Sequence, residues 1–256
     1  MINTTTRPIF WLACTVLVAL ITLSGKGIAE ERWVEGQHYQ VLTPTVATGR
    51  SQDVVVTEFF WYGCGHCYTF EPMLTAWGKQ LPEGAVVQPS PAVWNDGMKI
   101  HAKAYYIAEV LGVKETVHPI IFDAMHVKRE RLSSRLALRD LFEDSGVDPV
   151  QFDKAFDSFG VDSQVRQADA RAKSAKISGT PSLMVAGKYL IETRSAGSQT
   201  NMLEIAQYLV EKELAAEQPA CQTLTAVRDS TRRNSKLECT ALTPAIRVSV
   251  PSKNCS

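Results

Sequence analysis

Val54-Val55-Val56-Thr57-Glu58-Phe59-Phe60-Trp61-Tyr62-Gly63-Cys64-Gly65-His66-Cys67-Tyr68 is the stretch on which the reading of this chain turns. Its first seven residues form a short apolar run rich in β-branched and aromatic side chains, the pattern of a strand covered on both faces. After it, Cys67, Phe70, Leu74 and Trp77 recur at helical spacing. A Cys-x-x-Cys pair therefore sits where a buried strand gives way to a helix, and that order makes a redox site the leading reading. Cys64 falls at the helix N-terminus, where unpaired backbone N–H groups and the positive end of the dipole favour a thiolate. Cys67, three residues on, shares that helical face and can close a disulfide with Cys64. His66 adds a donor and, when protonated, a positive charge that lowers the Cys64 pKa further. Each unit of depression favours the thiolate by about 1.4 kcal/mol, or about 30 mV for a two-electron couple. A stabilised thiolate favours the reduced form, so the disulfide becomes an oxidant.

The alternative chemistry for Cys-x-x-Cys is half of a zinc site. A structural site needs two more ligands at a matching interval, and the sequence holds no second Cys-x-x-Cys and no His-x-x-x-His. No metal or other cofactor is expected.

With 256 residues and 45% hydrophobic content, the chain can bury one substantial core with a satellite domain. Residues 1–29 read as a cleaved secretory signal: Arg7 precedes the apolar run Ile9 to Leu23, and Gly27-Ile28-Ala29 offers small residues for cleavage. At 15 residues that run is short for a membrane span, which needs about 20. Cys14 lies within it and is expected to leave with the signal. The remainder carries 25 basic against 27 acidic side chains, a formal charge of −2, so nucleic acid is not an expected partner. Export would place the Cys pair where disulfides persist and oxidation is favoured.

Farther along, Tyr39 to Leu42 suggests an edge strand, Cys64 to Gln80 a first helix with Pro72 inside it, and Ala85 to Gln88 a third strand. From about Asn95 the period is helical for more than 70 residues, with helices ending at Gly146, starting at Asp148-Pro149, and running from about Ser163 to Ile177. Strands return at Ser182 to Val185 and Tyr189 to Ile191, and a last helix covers about Asn201 to Glu213. Strands at both ends with helices between them imply an α/β domain interrupted by an all-helical one. The boundaries are 30–96 and 163–214 for the α/β domain, 97–162 for the helical insert, and 215–256 for a weakly ordered tail. That tail holds Cys221, Cys239 and Cys255, whose pairing does not follow from sequence.

Glu58-Phe59-Phe60, Cys64-Gly65-His66-Cys67-Tyr68, Phe70-Glu71, Gly179-Thr180-Pro181-Ser182 and Val185-Ala186-Gly187-Lys188-Tyr189 together resemble the DsbA family of periplasmic thiol:disulfide oxidases, over residues 33 to 213. The resemblance implies a thioredoxin fold with an inserted helical domain. It also implies a strongly oxidising disulfide given to newly exported, unfolded polypeptides and renewed by a membrane reoxidase of the DsbB type. By position, Cys64 would be the exposed nucleophile, Cys67 its buried partner, and Pro181 a cis proline facing the pair. Thr180 would present backbone groups to an extended client segment. The Gly65-His66 dipeptide departs from the Pro-His of the best-known oxidases and matches protein disulfide isomerases, which implies a less oxidising potential. A monomer in the periplasm is expected.

Glu58 alternates onto the same face as Val54, Val56 and Phe60, so it should be buried, where an unpaired carboxylate is costly and its pKa rises. It is a candidate proton acceptor for Cys67; a strand-end Glu reaching solvent is the other reading. Some members of the family place a Lys on the neighbouring strand, whereas Ala85-Val86-Val87-Gln88-Pro89 has none. Trp61, Tyr62 and Tyr68 surround the pair and would line an apolar groove for unfolded chains, or else pack in the core or rim. His38, His101, His118 and His126 have no motif context and read as surface or packed histidines. Two rival functions remain: an isomerase or reductase using the same residues, and a peptide-binding chaperone whose Cys pair is structural. Periplasmic isomerases usually carry a dimerisation module, and none is evident before residue 33.

Overall fold

The computed structural model describes residues 32–49 and 53–217. The expected signal with Cys14 and the tail with Cys221, Cys239 and Cys255 lie outside the described residues. Five strands form one mixed sheet: β1 (Gln40–Val41), β2 (Val54–Phe60), β3 (Ala85–Pro91), β4 (Ser182–Val185) and β5 (Tyr189–Glu192), in the order β1-β5-β4-β2-β3. β2 pairs parallel with β3 and antiparallel with β4, while β5 runs antiparallel to both β4 and β1. All seven residues of β2 are buried, because it has a neighbour on each edge and apolar layers on each face. That is why its sequence reads as a continuous apolar run rather than an alternation.

The strand's two faces serve different cores. Val54 and Val56 pack with Leu183, Val185 and Ile191 against Phe70 and Leu74 of α1 (Gly65–Gly78) and against Met202, Ile205 and Leu209 of α8 (Gln199–Glu217). Phe59 points the other way, to Met98, Ala172 and Met184. Phe60, at the end of the strand, enters a third core made by helices. These are α2 (Asp96–Val110), α3 (Lys114–His126), α4 (Arg135–Asp144), α5 (Pro149–Phe156) and α6 (Phe159–Ser174), all between β3 and β4. A short helix α7 (Thr193–Ala196) precedes α8.

Local sequence sets most boundaries. Asn95, Ser134, Asp148 and Ser158 each cap a helix by accepting a backbone N–H with the side chain, and Pro149 follows its Asp cap at the first helical position. The β4–β5 hairpin turns through Ala186 and Gly187, both at positive φ (53° and 67°), the geometry that suits the twist of paired strands. Gly187 is also forced by packing, since a Cβ there would lie 1.9 Å from the carbonyl oxygen of Val46.

The structure shifts several sequence-based bounds. β3 runs three residues past Gln88, held by its full register with β2. The apolar pattern Leu132, Leu136, Leu138, Leu141 and Phe142 outlines the helix expected to end at Gly146, but Leu132 is not in it; Leu132 sits at φ 47° in the loop before α4, yet is buried in the helical core. The last helix continues to Glu217. Helix α6 begins at Phe159 and spans the expected boundary at 162/163: its Val161, Val165 and Ala168 belong to the helical core, while Ala172 packs beneath the sheet. One helix joins the two layers.

Candidate active site

The site is built where β2 ends. The loop from Trp61 to Gly63 turns the chain, and Cys64 then becomes the N-cap of α1, its sulfur accepting the Cys67 backbone N–H at 3.3 Å. Sulfur thus fills the position usually held by a Ser, Thr, Asp or Asn oxygen. A Cβ at Gly63 would run into the Trp61 ring, so a larger residue there displaces that ring. Just before β4, the strand paired with β2, the Thr180–Pro181 peptide is cis and carries the Thr180 carbonyl to 3.2 Å from Cys64 Sγ. That contact serves the thiol alone, since only S–H can donate to a carbonyl. Cys64 and Cys67 are both free thiols, the first half-buried and the second buried.

The two thiols are driven apart electrostatically. Cys64 is lowered to about 5, first by a hydrogen bond from the Cys67 thiol, against which burial pushes upward. The Thr180 side chain and the backbone N–H groups of Cys67 and His66 lower it further. Burial pushes the Cys67 thiol far up, and its hydrogen bond to Cys64 and the nearby Glu58 add to the rise. A proton is therefore kept on Cys67 and a negative charge on Cys64. His66 reaches Cys64 through its backbone N–H; the residue is exposed, and its carbonyl accepts from Gln199 Nε2 at 2.6 Å and Thr69 Oγ1 at 3.0 Å.

Glu58 is fully buried, as its alternation implies, and neither carboxyl oxygen has a hydrogen-bond partner among the described residues. Pro89 and Leu183 stand opposite it on the neighbouring strands. Burial raises its pKa well above the ordinary carboxylate value, and the negative charges of Glu71 and Cys64 raise it further.

The aromatic residues divide. Tyr68 lines a groove of about 900 Å³ between α1, β3 and α3, shared with Glu71, Tyr105, His118 and Phe122; its hydroxyl donates to Asp123 at 3.0 Å. Trp61 lines a smaller cleft beside Gly63, His126 and Arg129. Tyr62 is no groove residue. It is wholly buried, with its hydroxyl 2.6 Å from His118 Nδ1, because its ring fills the helical core between Phe60 and Phe122.

Three histidines that sequence left without context gather at this loop. Trp61 Nε1 donates to His101 Nδ1 at 2.9 Å, and His126 Nε2 donates to the Tyr62 carbonyl at 2.7 Å while its ring stacks on Tyr68. His118 lies between Tyr62 and Glu71, its Nε2 3.4 Å from Glu71 Oε2. The available signal was the stripe His118, Phe122, His126 at i, i+4, i+8 on one face of α3. His38 is elsewhere, accepting the Val34 N–H. Among the described residues no group of three or more His, Cys, Asp or Glu side chains is placed to hold a metal ion.

A thiol poised to ionise at a helix start, a buried thiol three residues on and a cis proline beside them define a thiol:disulfide exchange enzyme of the thioredoxin fold. A family model described as a DSBA-like thioredoxin domain matches residues 88–204. The thiol:disulfide interchange protein DsbA of Pseudomonas aeruginosa is 32% identical over 205 residues, covering 80% of this chain and 97% of that protein. DsbA of Azotobacter vinelandii is 37% identical over 182 residues, covering 71% and 85%. The crystal structure of Pseudomonas aeruginosa DsbA superposes with a TM-score of 0.69 at 33% identity, over 72% of this chain and 96% of that one. The oxidoreductase DsbA of Xylella fastidiosa gives 0.67 at 29% identity, over 71% and 98%. The chain belongs to the DsbA family of thiol:disulfide interchange proteins, and is an oxidoreductase of the thioredoxin superfamily with a helical insert.

Proposed function

We propose that this protein is an exported dithiol oxidase that passes its Cys64–Cys67 disulfide to unfolded polypeptides in the periplasm. The observation that carries this reading is the asymmetry of the pair: one half-exposed thiol lowered to about 5, and one buried thiol pushed far up. A client thiolate attacks Cys64 Sγ; the Cys64–Cys67 bond breaks, a client–Cys64 bond forms, and the Cys67 sulfur leaves with the electron pair and takes a proton. The client's second thiolate then attacks the client sulfur of that mixed disulfide, and Cys64 departs as a stabilised thiolate. The client loses two electrons and the protein gains them. Because the best leaving group is the thiolate of lower pKa, the second step favours release of oxidised client.

Glu58 serves as the proton partner of Cys67. Thr180, beside the sulfur, receives an extended client segment, with Trp61 and Tyr68 on the rim; Pro181 holds that backbone against the pair. A membrane reoxidase of the DsbB type takes the electrons back, the protein works as a monomer, and residues 97–162 form the insert. Export follows from the signal expected in residues 1–29.

Equilibrating the purified protein with glutathione tests the direction: a potential at the oxidising end supports an oxidase, and one near thioredoxin's about −270 mV argues for a reductase. Cys64→Ser abolishes turnover in the enzyme, whereas a chaperone keeps its peptide binding. Cys67→Ser, given clients whose thiols carry glutathione as mixed disulfides, attacks the client sulfur, releases glutathione thiolate and accumulates Cys64-linked mixed disulfides, because no second thiol is present to release the client.

A further inference from the structure

Glu58 cannot be understood from its own strand. Its oxygens are unpartnered and its strand neighbours are Pro89 and Leu183. The carboxylate on α1 whose charge acts on it is Glu71, one helical turn after Cys67 and on the same side of the helix. A fully buried carboxyl with a half-buried carboxylate for a neighbour does not ionise freely, so the pair retains a proton and titrates as a unit. The unequal surroundings of the two carboxyls choose its owner.

Glu71 has company that Glu58 lacks. The Thr75 hydroxyl donates to Glu71 Oε1 at 3.1 Å, and His118 Nε2 stands 3.4 Å from Oε2, in reach of it but not aligned as a closed hydrogen bond. His118 comes from the helical insert and is 8% exposed, boxed by Phe60, Tyr62, Tyr105 and Phe122 with ring centroids at 5.3, 5.2, 5.8 and 5.2 Å. The Tyr62 phenol is buried, and burial holds it protonated. Its O–H therefore donates to His118 Nδ1 at 2.6 Å, which assigns the ring proton to Nε2, the nitrogen facing Glu71. The other ionisable groups around the pair are Cys64 and Cys67 on α1, Tyr105 on α2, and Lys114 on α3, which contacts Glu115 at 3.5 Å.

We propose that His118, carried in by the helical insert and aimed by Tyr62, is a positioning residue that holds Glu71 as the anion and thereby keeps the shared proton on Glu58. This rests on reading Glu58 as the proton partner of Cys67. The Cys67 sulfur, leaving with its electron pair, then meets an acid in its own pocket rather than a second anion. The insert thus takes part in the chemistry of the pair.

Carboxyl titrations of the reduced full-length protein, followed by NMR on glutamates labelled at the side-chain carbon, test this. His118→Phe, which suits the aromatic box, raises the proton affinity of Glu71 and lowers that of Glu58, each by about tenfold or more. His118→Gln, which returns a neutral donor toward Glu71, recovers most of both changes. Glu71→Gln, on a partly exposed helix face, lowers the Glu58 midpoint by itself and keeps the proposal testable where His118→Phe does not fold. A Glu58 midpoint that stays put in Glu71→Gln, or in a folded His118→Phe, overturns the proposal. The underlying role of Glu58 is judged separately, by the rate of Cys67 attack in Glu58→Gln, which can fail while the carboxyl titrations hold.

Discussion

The backbone N–H of Cys67 points at the sulfur of Cys64 from 3.3 Å, so the nucleophile is capped by the helix that it begins. The same residue also supplies the largest lowering of Cys64 through its thiol. Charge on Cys64 and proton on Cys67 are therefore two descriptions of one hydrogen-bonded pair.

This pair fixes a pH window. Cys64 has its folded value depressed from 9.0 to about 5, so its contribution to stability of the reduced protein is fully present above about pH 9 and lost as pH falls through 5. At neutral pH it amounts to about 2 kcal/mol after allowing for solvent screening at a half-exposed sulfur. Thiolate absorbance of the reduced protein should titrate near 5, and chemical denaturation should show the reduced form losing stability relative to Cys64→Ser as pH falls from neutral toward 5. A thiol ionising like free cysteine would remove the basis for the oxidase reading.

Glu58 has the opposite sign. Its folded value is raised, so its contribution is fully present below about 4.5 and is lost as pH rises through the raised value. Glu58→Gln should therefore gain stability relative to the parent above pH 4.5, by roughly 1–3 kcal/mol once the parent's carboxyl is forced to ionise. The same variant should slow attack by Cys67 on a Cys64 mixed disulfide. Identical pH–rate profiles in the two proteins would exclude Glu58 as the proton partner.

His126→Ala should cost about 1–3 kcal/mol, because it leaves the buried Tyr62 carbonyl without the donor now at 2.7 Å. It also removes the ring stacked on Tyr68. A urea midpoint unchanged from the parent would show that this histidine does not hold the loop before Cys64.

At the opposite edge, Gly187→Ala combines a positive φ with a Cβ placed 1.9 Å from the Val46 oxygen. A backbone neighbour cannot rotate aside as a side chain can, so a loss of about 3 kcal/mol or more is expected. Val46 N–H donates to the Gly187 carbonyl at 2.8 Å, so thermal denaturation and amide exchange at Val46 report the same event.

Much of the α/β frame was legible because its signals are local. β2 is a run of apolar residues with one carboxyl, the Asn95 and Asp148 caps announce their helices, and Cys64 precedes a helical period. Bounds slipped where pairing or packing outweighed the local pattern, as at β3, which follows β2 to Pro91, and at Leu132, buried without belonging to a helix. At the site, the sequence identified the Cys pair and the burial of Glu58. It left Tyr62 open between groove and core and read His101, His118 and His126 only as surface or packed histidines, because each owes its place to a partner 40 or more residues away in the chain.

The sequence by itself determined which atoms could exchange a disulfide and where they lie along the chain, since a strand, a turn and a helix start are written by neighbouring residues. Only the tertiary structure decided which sulfur holds the charge and which group stands beside each carboxyl. Those outcomes depend on dehydration and on hydrogen bonds a few ångströms long, and such distances between remote segments come into being when the helical insert closes against the sheet.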